Sequence, residues 1–146
     1  MPSLDDPKLV RAIIMEHYQF PRNKREVNDS TYDSIHMDSD SCVDDFHIYL
    51  KMDGNIVKDV AFSGVGCTIS TSSNSIMTEL VIGKSREEAL NIIENYLHMV
   101  YHDGEYDEDL LEEANVFSNT YKQANRIKCA TIGWMGLKQL LEKEDK

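Results

Sequence analysis

Three cysteines and one aspartate in this chain have the types and positions to share a metal ion. Cys42 stands two residues before Asp44, in Cys42-Val43-Asp44. Cys67 closes Ser63-Gly64-Val65-Gly66-Cys67, and Cys129 closes Arg126-Ile127-Lys128-Cys129. Three thiols and a carboxylate make four ligands, the number a tetrahedral zinc site takes. Residues two apart in an extended segment project to the same side, so Cys42 and Asp44 can reach one ion. Gly64 and Gly66 permit backbone angles barred to other residues and can bend the chain to deliver Cys67 beside that pair. Cys67 and Cys129 each fall near the start of an expected helix, where unpaired N–H groups and the helix dipole favour an anion, here a thiolate. Arg126 and Lys128 add positive charge beside Cys129. Asp44 is the hardest of the four donors and the poorest match for a soft site, which makes it the candidate for a displaceable ligand. The alternative for each thiol is a small buried hydrophobe, and no pair has the C-x-x-C spacing.

The bulk properties narrow the setting. A chain of 146 residues reads as a single domain spanning residues 1–146. A domain this size buries roughly 68–70% of its unfolded surface and needs no metal merely to hold together. The net charge of -11 repels phosphate backbones, so nucleic acid is not an expected partner. Asp103 to Glu113 holds seven carboxylates and no base; it is expected to be a solvated face, with a docking surface for a basic partner as the alternative. The amino end lacks the basic and apolar stretches of a leader, and no apolar run approaches the roughly 18 residues that span a bilayer. These features set the expectation of a soluble, cytoplasmic chain with no membrane partner. Three thiols in a reducing compartment point to metal binding or catalysis rather than to a disulfide framework.

The elements that must position the donors read as follows. Asp6 and Pro7 open a helix whose inner face is Leu9, Val10, Ile13 and Ile14, and Pro21 ends it. A short edge strand is expected around Thr31 to His36. Phe46, Ile48, Leu50 and Met52 alternate with polar residues as a strand, Asp53-Gly54 is a hairpin turn, and Ile56 to Phe62 returns. A helix through Ile69, Ile76, Leu80 and Val81 stops at Gly83. Ser85-Arg86-Glu87-Glu88 is a capping box for the next helix, with Leu90, Ile93, Tyr96, Leu97 and Val100 inside. A short helix near Asp107 to Ala114 and a last helix from about Ile127 to Glu142 complete the chain. The fold class is α+β: a small antiparallel meander of two to three strands packed by about four to five helices. His17, His36, His47, His98 and His102 are scattered and expected on the surface, although His98 and His102 have a helical metal-binding spacing. The run Thr68 to Ser75 reads as small residues packing close to the sheet, or as an anion-binding helix start.

Several stretches together carry a family resemblance. They are Ile14-Met15-Glu16-His17-Tyr18, Pro21-Arg22-Asn23, Cys42-Val43-Asp44, Asp53-Gly54, Phe62 to Ser70 and Arg126-Ile127-Lys128-Cys129-Ala130. The chain resembles the SufU branch of the U-type iron–sulfur cluster assembly proteins, a group related to IscU and to the amino-terminal part of NifU. The long gap between Cys67 and Cys129, and Lys128 where IscU proteins place histidine, favour the SufU branch. The resemblance implies a zinc site of Cys42, Asp44, Cys67 and Cys129, and a SufS-like cysteine desulfurase as partner. It also implies that Cys42 is the ligand that leaves, accepting persulfide sulfur for downstream cluster assembly proteins, which disagrees with the choice of Asp44 drawn from donor hardness. Val43 stands where the family usually has glycine. On this resemblance the chain is a zinc-dependent sulfurtransferase acting in a persulfide relay rather than a stand-alone enzyme. Two alternatives are a scaffold for a transient [2Fe–2S] cluster and a plain structural zinc domain.

Overall fold

Phe46, Ile48 and Leu50 are buried while Asp45 and His47 face solvent, the alternation of a strand with one wet face. The computed structural model describes residues 6–39 and 43–144. In it this strand, β2 (Asp45–Asp53), lies between β1 (Asp33–Asp38) and β3 (Ile56–Val65), both antiparallel to it. Asp53 pairs with Ile56 across the turn, where Gly54 takes φ 59°. The edge strand β1 begins two residues later than Thr31. The return strand β3 runs on to Val65, so Ser63 and Gly64 pair with His47 and Phe46 inside the sheet. Gly64 is needed there: its φ is 117°, and a Cβ would run into the Asp45 carbonyl and lie 3.0 Å from Phe46 Cα.

Among the described residues five α-helices complete the fold, three of them packed against the sheet. The first, α1 (Pro7–Gln19), is capped by Asp6, which accepts from Lys8 N at 2.9 Å, and ends at Phe20. Val10, Ile13 and Ile14 pack on the core, whereas Leu9 turns outward and is 39% exposed, so it does not belong to the inner face. Ser70 to Thr78 of α2 (Thr68–Val81) are all buried. Its small side chains pack close to the sheet, as expected, and also let α1 and the last helix close around it. The buried hydroxyls find partners inside: Ser73 and Tyr96 both donate to Ala130 O at 2.7 Å. The capping box of α3 (Arg86–Tyr101) forms through Glu88 N to Ser85 Oγ at 3.1 Å and Ser85 N to Glu88 Oε1 at 3.0 Å. Then come α4 (Glu108–Leu111), two 3₁₀ segments (Glu112–Phe117 and Thr120–Lys122) and α5 (Ala124–Glu144). Trp134 of α5 stacks on Tyr96 of α3 at 3.7 Å and donates to Ser73 of α2 at 2.8 Å, tying three helices at the centre. No helix among the described residues is long and apolar enough to cross a membrane.

Candidate metal centre

Asp44 sits just before β2, Cys67 joins β3 to α2, and Cys129 lies on α5. One ligand atom from each stands within 4.8 Å of the others. Two donors sharing a zinc ion, at about 2.0–2.3 Å from it, lie at most ~4.6 Å apart. The three donors are therefore close to ligating separation. Asp44 and Cys129 are buried and Cys67 is partly exposed, so the group opens to solvent on the Cys67 side.

Ser70 organises the group. Its hydroxyl donates to Asp44 Oδ1 at 2.7 Å and lies 3.5 Å from Cys67 Sγ. Cys67 N also donates to Asp44 Oδ1, at 3.1 Å. Cys67 is the N-cap of α2, its sulfur accepting from Ser70 N at 3.5 Å, so the positive end of the helix dipole is aimed at that sulfur. Gly66 permits the tight approach: a Cβ would run into the Phe46 ring and lie 2.5 Å from Ser70 Oγ. A carboxylate fixed by neighbouring donors is the kind of support that orients ligating groups.

Cys129 is placed differently from the sequence expectation. Helix α5 starts at Ala124, three residues before Ile127, so Cys129 stands in its second turn. The unpaired N–H groups belong to the first turn, and the dipole argument does not reach this sulfur. Its Sγ lies 3.9 Å from Asn125 O. Arg126 and Lys128 are exposed and make no ion pair among the described residues. Cys42, expected as the fourth ligand and sulfur acceptor, lies outside the described residues. Its neighbour Val43 is 69% exposed and Val65 is 65% exposed, two apolar side chains on the segments that carry Asp44 and Cys67.

The histidines divide unexpectedly. His98 bonds Asp103 at 2.9 Å while His102 stacks on Tyr121 at 3.9 Å, so the helical pair does not converge. His36 and His47 stack on each other at 4.7 Å on the wet face of the sheet. His17, expected on the surface, is wholly buried and reaches Glu113 Oε1 at 2.9 Å. The acidic stretch is accordingly not uniform: residues 103–109 are exposed, but Glu113 turns inward.

Comparison with known proteins follows the same outline. The family model described as "NifU-like N terminal domain" matches residues 10–139. The zinc-dependent sulfurtransferase SufU of Bacillus subtilis is 38% identical over 138 residues, covering 94% of this chain and 92% of that one. The iron–sulfur cluster assembly scaffold protein IscU of Streptococcus pyogenes is 33% identical over 135 residues, covering 92% and 84%. Among solved structures, a SufU from Fervidobacterium islandicum superposes with a TM-score of 0.78 at 29% identity, covering 93% of this chain and 99% of that one.

Proposed function

The chain belongs to the NifU-like N-terminal domain family, with SufU and IscU iron–sulfur cluster assembly proteins among its relatives, and we propose that it is a zinc-dependent sulfur acceptor in that assembly. The observation that carries the reading is the convergence of Asp44, Cys67 and Cys129 within 4.8 Å. Two thiols and a carboxylate from three separate elements fit zinc, and Cys42, two residues from Asp44, supplies the fourth donor. Bound zinc would keep the thiols ionised and guarded against oxidation.

The chain's own residues do the rest. Ser70 and the Cys67 N–H hold Asp44 in place while Cys67 and Cys129 anchor the far side. Cys42, as a thiolate, attacks the terminal sulfur of a persulfide on a cysteine desulfurase. A sulfur–sulfur bond forms at Cys42 as the donor's breaks, and the donor cysteine leaves as thiolate. Exposed Val43 and Val65, close in the chain to Asp44 and Cys67, give the partner an apolar contact. The persulfide then passes to downstream cluster assembly proteins, in the cytoplasm. Purified protein is expected to carry about one zinc per chain, and Cys42→Ala to abolish stimulation of the desulfurase. Unchanged stimulation by that variant ends the reading.

The scaffold reading is favoured by the relatives named as scaffolds and by the carboxylate among the donors. There the same residues would hold a [2Fe–2S] cluster, with Asp44 as the labile ligand. Anaerobic reconstitution with iron and sulfide separates the two. Visible charge-transfer absorbance that transfers to an apo acceptor selects the scaffold.

A further inference from the structure

A second set of donors lies away from the thiols, at the other end of α2. His17, in the last turn of α1, is fully buried. Its Nδ1 stands 2.7 Å from Ser75 Oγ, which also accepts the backbone N–H of Arg22 at 2.8 Å. The ring is thereby fixed, and Nε2 faces Glu113 Oε1 at 2.9 Å and Glu79 Oε1 at 4.0 Å. One atom from each of His17, Glu79 and Glu113 lies within 4.8 Å of the others. They come from three elements: α1, α2 and the 3₁₀ segment Glu112–Phe117. Both glutamates are about half exposed and line a cavity of about 290 Å³ with Ile76, Leu80 and Glu112.

Charge points the same way. The Arg22 guanidinium lies 3.7 Å from Glu79 and 3.3 Å from Glu16. Glu79, Glu112 and Glu113 give the cavity three carboxylates, and Arg22 is shared between Glu79 and Glu16, so negative charge is in excess around the cavity. A cation held by donors of this kind, at about 2.0–2.2 Å from each, requires them no more than ~4.4 Å apart. The two distances from Nε2 already satisfy this, and half-exposed glutamate side chains can close the remainder.

We propose that His17, Glu79 and Glu113 form a second divalent-cation site, for a first-row ion that prefers oxygen and nitrogen donors, Mn²⁺ or Fe²⁺ rather than a thiophilic metal. One imidazole and two carboxylates suit that class and leave positions open to water from the cavity. A ligating Nε2 carries no proton, so the fitting tautomer has its single N–H on the other ring nitrogen. Nδ1 then carries the N–H and donates to Ser75 Oγ, the bond that locks a ligating histidine in the right tautomer. The site is independent of the thiols: Cys67 and Glu79 are twelve residues apart on one helix, roughly 18 Å at 1.5 Å per residue. Its fate does not depend on the sulfur-transfer reading.

The test is titration of the full-length chain with Mn²⁺, read by paramagnetic broadening of backbone amide resonances and by the thermal midpoint. Broadening is expected to centre on residues 16–18, 75, 79 and 113, with a rise in the midpoint. The same titration on Glu79→Gln is expected to need at least ~10-fold more Mn²⁺. Glu79 makes no hydrogen bond to His17, so this variant leaves a purely structural His17–Glu113 tie intact. A Glu79→Gln/Glu113→Gln protein, folded by its amide spectrum, is expected to lose the response altogether. Broadening centred on the exposed acids 103–109, or equal affinity in Glu79→Gln and the parent, overturns the proposal.

Discussion

Gly133→Ala is expected to loosen the thiol site from one helical turn away. Gly133 follows Cys129 by four residues on α5, and Asn74 follows Cys67 by seven on α2. A Cβ on Gly133 would run into Asn74 Oδ1 and stand 2.7 Å from Asn74 Cγ. Asn74 is fully buried, and its amide has no hydrogen-bond partner among the described residues, so it has no solvated position to retreat to. Overpacking a close-packed interior costs about 1–3 kcal/mol, and an overlap this deep belongs near ~3. Alanine returns about 1 kcal/mol over glycine in a helix interior. The net loss is about 2 kcal/mol, a fall of roughly 7 °C in Tm.

Asn74→Ala probes the contact from the other side. It removes a buried amide whose missing partners cost about 1–3 kcal/mol, and it opens a cavity that costs a similar amount. Alone it is therefore close to neutral. In the double variant the two methyls share the space that one amide filled, the clash is gone, and the protein is expected to be at least as stable as the parent. Urea unfolding of the four proteins gives the coupling, expected to be ~2–3 kcal/mol. Zinc competition with a chelator gives the effect on the centre: weaker by several-fold in Gly133→Ala and restored in the double variant. Single effects that add within about 0.5 kcal/mol would show that Asn74 and Gly133 do not set the spacing of α2 and α5.

Ser70→Ala removes the 2.7 Å bond to buried Asp44; a loss of about 1.5–3 kcal/mol in unfolding free energy and of about 10–100-fold in zinc affinity is expected, read by urea unfolding and chelator competition. Burial holds the Tyr96 phenol well above its ordinary value, so the folded chain keeps a proton that the unfolded chain releases above about pH 10. Stability from this group is present below that pH and lost as pH rises beyond it, and Tyr96→Phe is expected to flatten the alkaline fall in urea midpoints. Glu112 holds φ 44° and ψ -121°, a conformation open chiefly to glycine, so Glu112→Gly is expected to raise stability by about 1 kcal/mol by thermal unfolding; a lower Tm would show that the backbone there is not strained.

The parts of this protein that were legible in its sequence are those whose physics is local. The capping box at Ser85 and Glu88, the Asp53-Gly54 turn and the alternation of Phe46, Ile48 and Leu50 each complete their interactions within a few residues. So does Cys67 with Ser70, since an N-cap is a three-residue event. The start of α5 is hidden in the sequence because Ala124 follows Gln123, which is no capping residue, and the helix begins without a side-chain signal. His17 shows the limit most clearly. Its partners lie 58, 62 and 96 residues away on other elements, so no spacing around it could announce burial or ligation. Asn74 and Gly133 are likewise joined only by packing.

The same contrast explains why α2 is built of small polar residues from Ser70 to Ser75. It is enclosed by α1, α5 and the sheet, and it carries donors at both ends: Cys67 at its cap and Glu79 in its last turn. Bulky side chains on α2 would hold α1 and α5 away from it and separate Cys67 from Cys129 and Glu79 from His17 alike. Serine and threonine keep both approaches short while satisfying their own hydroxyls within the helix or on Ala130 O, as Ser72, Ser73 and Thr78 do. This run of small residues is thus the condition for each donor set to close, and a bulky residue at Ser73 or Ser75 should weaken the nearer set first.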